Sequence, residues 1–302
     1  DALPIFHRVD PLGQLVAQRP QFRHLPARVV GAVQQAHLRH AVCAGHGVCA
    51  GAVVGAVNAR SWLDDSLTVE KKKPLIGMTS LGKSCLSYMV NLKPALETRG
   101  FEVAVFHTTG MGGRAFEAMA EQGLFAAVLD LSLQELANHV GGSVVTAGST
   151  RLTGAGRAGV PQIVAPGAVD MVDFAAWANV PASLAGRSVH VHNRLIASAT
   201  SPARLRKTIA KEMIQRLHLA RGATALLMPL RGVEAWDKEG EPLHDPDGLE
   251  AFTHALRSEV AELKSTALTY KEIDAHINDD AFCDAVLAQL DAWIESGVVA
   301  KP

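Results

Sequence analysis

From Lys73 onward, short apolar runs alternate with longer segments whose apolar residues return every three or four positions. Pro74-Leu75-Ile76-Gly77-Met78 reads as a short buried strand, and Ser84 to Thr98 as an amphipathic helix ended by Gly100. Pro94 falls inside that helix and is expected to kink or divide it, because it has no N–H to donate. Further strands are predicted at 102–106, 125–129, 163–165, 188–192, 224–228 and 267–273. Helices are predicted at 114–122, 133–139, 202–218, 248–263 and 279–294. Strands separated by helices form βαβ units. The expected fold class is therefore α/β, a three-layer αβα Rossmann-like domain over residues 73–302 with a mostly parallel sheet.

The beginning of the chain breaks this pattern. Residues 1–63 contain no Lys, Glu, Tyr or Met, and their only acids are Asp1 and Asp10. Helix surfaces normally draw on Glu and Lys. Residues 1–72 therefore read as an atypical N-terminal segment, either an Ala/Val/Gly-rich half domain, or the remnant of a truncated first domain or an out-of-frame translation of GC-rich coding sequence, and residues 1–63 are expected to pack poorly. Cys43 and Cys49 lie near His37, His40 and His46, but the spacing fits no zinc finger or ribbon, and no metal is expected.

Charge narrows the partners. Lys and Arg number 29 against 30 acids, which gives no field for nucleic acid or an anionic membrane. No apolar run reaches the ~20 residues of a membrane span, and no signal peptide is recognisable. The expectation is a cytoplasmic protein whose partner is a small anionic molecule, with a homo-oligomer left open.

In open α/β sheets ligands sit where loops leave the carboxyl ends of the strands. Thr108-Thr109-Gly110-Met111-Gly112-Gly113-Arg114 follows a strand and opens a helix, so Thr109, Gly110, Gly112, Gly113 and Arg114 are candidate anion contacts. The run matches neither the P-loop nor the dinucleotide fingerprint. Gly167 and Asp170 follow the next such strand, and Asp173 lies three positions further on. His190 and His192 alternate onto one strand face, as structural residues or as a metal pair. Arg231 and Gly232 form another strand-end turn suited to a carboxylate or phosphate. Before the last helix stand His276, Asn278 and Asp279. His276 and Asp279 are the candidate acid/base pair, Asn278 is a ligand contact, and either Asn278 or Asp279 can cap the helix.

Several runs together carry a family resemblance: PLIGMTSLG, EVAVFHTTGMGGRAFEAM, VLDLSLQELA, PQIVAPGAVDMVDF, VHVHN, LLMPLRGVEAWD and IDAHINDDAF. Over roughly residues 73–295 the chain resembles the C-terminal half of the Tm-one-like ATP-binding domain family, largely uncharacterised bacterial and fungal proteins related to a plant tobamovirus-resistance protein. The resemblance implies two Rossmann-like domains in tandem, with ATP as the cofactor of the first. Asp173 stands where that family usually has Asn. Two functions follow as expectations: a small-anion binding domain, or an enzyme acting on a small anionic metabolite through His276 and Asp279.

Overall fold

The structure is a computed structural model that describes residues 73–263 and 268–302. The expectations for residues 1–72 lie outside the described residues. Six parallel strands run β1 (Leu75–Ser80), β2 (Glu102–His107), β3 (Ala127–Ser132), β4 (Gln162–Gly167), β8 (Thr224–Pro229) and β9 (Leu268–Ile273). They lie in the order β2-β1-β3-β4-β8-β9. The chain runs outward from β1 to β2 and then returns to the other side of β1 for β3. The strand order therefore reverses between β1 and β3.

The buried strands show why both faces need helices. Leu129, Ile163, Ala165 and Leu227 point to one face, where Tyr88 and Leu92 of α1 (Ser87–Thr98) and Phe282, Val286 and Leu290 of α7 (Asp280–Glu295) cover them. Val164, Leu226 and Met228 point to the other. There they meet Leu136 of α3 (Gln134–Gly141), Ile209 and Met213 of α5 (Ala203–His218), and Phe252 and Leu256 of α6 (Pro246–Glu262). Phe116 of α2 (Met111–Glu121) stacks on Phe125 beside the short α4 (Gly154–Ala158). Alternate residues of one strand thus feed two cores, which fixes its register. The three-layer α/β architecture stands as expected.

Two features depart from the sequence reading. α1 runs as one helix through Pro94. The carbonyl that loses its donor belongs to Val90, an exposed residue that water can serve. The strand expected at 188–192 does not join the main sheet. As β6 (Val189–Val191) it pairs antiparallel with β7 (Ile196–Thr200), which pairs antiparallel with β5 (Met171–Ala175). This three-stranded sheet is an insertion between β4 and α5. Its outer face buries Val172, Phe174, Ala197 and Ala199 with Leu184.

Candidate functional site

The opposite face of the small sheet is polar. Register pairs Asp173 with Ser198 and Ser198 with His190, so these three share a face, and His192 lies two positions beyond His190. Asp173, His190 and His192 line a cleft of about 880 Å³ at the carboxyl ends of β1, β2 and β3, the point where strand order reverses, with Ser198 buried behind them. Gly82, Lys83 and Ser84 line it from the β1 turn, His107 and Thr109 from the end of β2, and Trp236 from the loop after β8. His190, His192 and Trp236 form a triangle of rings with centroids 4.5 to 4.9 Å apart.

Behind the rings runs a buried chain of hydrogen bonds. Asn138 Oδ1 accepts from the backbone N–H of Asp173 at 2.8 Å, which fixes its amide so that Nδ2 donates to Asp173 Oδ2 at 3.0 Å. Gln134 Nε2 donates to Asp173 Oδ1 at 2.8 Å, and the Ser198 hydroxyl also bonds Oδ1. Ser198 Oγ in turn lies 2.6 Å from His192 Nε2. Burial pushes the Asp173 carboxyl up, while the bonds from Ser198, Asn138 and Gln134 hold it down. Burial and the neighbouring His190 push His192 down to about 4, so its ring is neutral at pH 7.

The TGMGGR loop is built differently from its sequence reading. Its amides already hold an anion: Glu135 Oε1 accepts from the N–H of Gly110 at 2.5 Å and of Gly113 at 3.2 Å. A Cβ on Gly113 would lie 1.7 Å from Glu135 Oε2, and one on Gly112 would lie 1.8 Å from the His107 carbonyl oxygen. These glycines are required by internal packing. Glu135 belongs to a buried ionic cluster centred on Arg151, which is wholly enclosed. Arg151 donates to Glu135 at 2.9 Å, to Glu117 at 3.0 Å, to both oxygens of Asp130 at 2.5 and 2.7 Å, and to the Ser132 carbonyl at 2.9 Å. Its guanidinium also lies 5.6 Å from the Phe116 ring centroid. Arg114 is exposed and, among the described residues, its side chain reaches only the Thr146 carbonyl, at 3.4 Å.

The other sequence candidates separate from the cleft. His276 Nε2 lies 2.9 Å from the Glu234 carbonyl, and Nδ1 accepts the N–H of Asn278 at 3.1 Å. Both ring nitrogens are committed to backbone, so the buried ring braces the loop and has no nitrogen left for acid/base work. Asp279 is the N-cap residue of α7, but its side chain accepts from the N–H of His276 at 2.9 Å. Asn278 donates to the Ser84 carbonyl at 2.8 Å, tying this loop to the β1 turn. Arg231 is exposed and forms a two-bond pair with Asp274 at 2.7 and 2.8 Å. Gly167 packs so that a Cβ would meet the Leu131 carbonyl oxygen at 2.1 Å, and Gly232 holds φ at +128° against the Asp237 carbonyl and His276. Of the candidate contacts, Thr109 is the one that lines the cleft.

Asp170 is buried with neither carboxylate oxygen bonded among the described residues, and Glu234 Oε1 is likewise unpaired. Burial, then Asp237, push Asp170 up to about 7 against the pull of Arg206. Burial, then Asp170, push Glu234 up to about 10. No group of three or more His, Cys, Asp or Glu among the described residues is arranged to hold a metal ion. No helix among them is long and apolar enough to cross a membrane.

Fold and cleft together define a doubly wound α/β domain, elaborated by an inserted antiparallel sheet that supplies one wall of the cleft. The chain belongs to the uncharacterised protein family UPF0261, whose C-terminal domain model matches residues 73–294. It is 50% identical over 254 residues to a UPF0261 protein of Brucella melitensis, covering 83% of this chain and 58% of that protein. A UPF0261 protein of Clostridium tetani is 37% identical, with 72% of this chain and 53% of that protein covered. The ToMV resistance protein Tm-1 of Solanum lycopersicum is 29% identical, with 82% and 31% covered. The chain thus matches little more than half the length of the bacterial relatives. Among solved structures, a thioesterase domain from the curacin biosynthetic pathway shares 10% identity at a TM-score of 0.34, covering 73% of this chain and 91% of that domain.

Proposed function

We propose that the cleft binds a small anionic metabolite, a phosphorylated or carboxylated compound or a nucleotide. Its anionic group would sit on the β1 turn and its body against Trp236. One observation supports this above the others. At the reversal of strand order, the N–H groups of Lys83 and Ser84 have no acceptor among the described residues, and the side chains of Lys83 and His107 line the same cleft. Consecutive free amides in a turn make a concave seat for an anion, and the lysine adds a full charge. Asp173, the acid among the residues that line the cleft, is already held by three donors.

The test is a binding screen by calorimetry and thermal shift with inorganic phosphate, citrate and ATP, the last because the family resemblance implies a nucleotide. At least one probe should raise the melting temperature, and Lys83→Ala should weaken its binding by ~10-fold or more, the loss of one charge-assisted contact. If none of the probes stabilises the protein, or Lys83→Ala binds like wild type, the assignment fails.

A further inference from the structure

We propose that His192 is a catalytic general base, acting through Nδ1, with Ser198 and Asp173 as positioning residues that hold the ring in the required tautomer. The proposal makes the ligand of the preceding reading a substrate and rests on that reading for its identity alone.

The argument is a count of protons. The Asp173 carboxylate accepts from Gln134, from Asn138, whose amide is fixed by a backbone N–H, and from Ser198. An acceptor with three donors converging on it has nothing to give, so the single proton of Ser198 goes to Asp173. Ser198 Oγ then has only lone pairs for its other neighbour, and His192 Nε2, 2.6 Å away, must carry the ring proton. Nδ1 is left unprotonated. It has no hydrogen bond from the described residues and is not among the sealed, unpaired buried atoms, so it is open to the cleft that His192 lines.

The order of residues differs from the familiar nucleophile, histidine and acid. Here the serine lies between the other two and is fully buried, so it relays and is not a nucleophile. The arrangement serves an incoming proton. A hydroxyl, water or acidic C–H of the bound substrate gives its proton to Nδ1, leaving the electron pair on the substrate atom and the ring as imidazolium. The new cation keeps donating its Nε2–H to Ser198 Oγ, whose own O–H still donates to the anionic Asp173. The proton then passes from Nδ1 to product or solvent, which restores the neutral ring. Among the charged and titratable groups facing the ring, His190 on the same strand disfavours the imidazolium and Asp173 behind Ser198 favours it. Lys83 and His107 line the same cleft.

The decisive measurement needs no substrate. In the ¹⁵N-histidine-labelled 302-residue chain, His192 is assigned by comparison with His192→Gln and followed from pH 4 to 8. The expected spectrum at pH 7 is a neutral ring protonated on Nε2. Ser198→Ala and Asp173→Asn should each shift the ring toward the other tautomer or into exchange between the two. Diethyl pyrocarbonate at pH 6, mapped by mass spectrometry, should label His192, transferring its ethoxycarbonyl group to Nδ1 with release of ethanol and carbon dioxide. An Nδ1–H tautomer, a charged ring at pH 7, or a folded Ser198→Ala variant with unchanged ring shifts would each overturn the proposal. Protection from labelling by phosphate or ATP tests the ligand reading separately. Labelling without protection would leave the base in place and remove the anion.

Discussion

Replacing Arg151 by Met keeps most of its volume and removes the one cation at the centre of three buried carboxylates. In the wild-type protein the guanidinium spends every donor direction on Glu117, Asp130, Glu135 and the Ser132 carbonyl, at 2.5 to 3.0 Å. Removing one member of a buried ion pair costs about 3–5 kcal/mol, because the remaining charge has neither water nor partner. At about 2–4 °C per kcal/mol for a domain of this size, the melting temperature should fall by roughly 6–20 °C. Arg151→Lys should recover only part of the loss, since a point charge with three donors cannot reproduce the fork to Asp130. The pH dependence has a definite sign. Burial pushes the Glu135 carboxyl up and Arg151 holds it down, so without Arg151 it keeps its proton more tightly folded than unfolded; the deficit shrinks as pH falls toward 5 and grows above 7. Urea unfolding followed by far-ultraviolet circular dichroism at pH 5, 7 and 8.5 reads both effects. A loss below 1 kcal/mol at pH 7, or a deficit that grows on acidification, would refute the reasoning.

Further outcomes follow from the same geometry. Glu135→Ala empties the seat between the Gly110 and Gly113 amides, and the melting temperature lost should be partly restored by tens of millimolar formate or acetate but not by chloride. Gly112→Ala places a methyl on the His107 carbonyl and should impair folding, as measured by soluble yield and urea midpoint. Asp170 titrates near 7 folded against 3.8 as its ordinary value, so the folded state holds the extra proton. Stability should fall as pH rises from about 4 to 7, and Asp170→Asn should flatten that fall, with a ceiling on the order of 4 kcal/mol, read from urea midpoints.

The main sheet was legible because each of its strands is a short apolar run followed by a helical period, and both faces are buried. The small sheet was not. β5 and β7 are each 5 residues long, and their apolar alternation rests on Val172 and Phe174 in one and two alanines in the other, while the inward face carries Asp173, Ser198 and His190; so short a period marks no strand. The cleft wall was lost with it. His190 and His192 were visible as a pair on one face, but Ser198 acquires its role only when β5, β7 and β6 are brought into register. The TGMGGR loop was correctly placed at a strand end and assigned to an outside anion. Its anion is Glu135, 22 residues beyond Gly113, and nothing local marks that glutamate or Arg151 as buried. Charged residues read as surface until the chain folds over them. His276 shows the converse, since a histidine beside an acid suggests catalysis and only the backbone partners of both ring nitrogens reveal a brace.

The small sheet leaves and rejoins the fold at one place. The chain departs after Asp170 and returns at Ser201, whose N–H and hydroxyl both bond the Asp170 carbonyl, at 2.7 and 2.9 Å. A segment stitched shut at its base adds a wall without breaking a strand of the six-stranded sheet, and its inward face is keyed to the scaffold through Asp173, which Gln134 and Asn138 of α3 hold. The main sheet keeps its strand order whatever residues 171–200 carry, so the wall they form can change while the six strands stay. If the cleft binds as proposed, swapping residues 171–200 between two relatives, together with the positions of Gln134 and Asn138, should move the ligand preference with them.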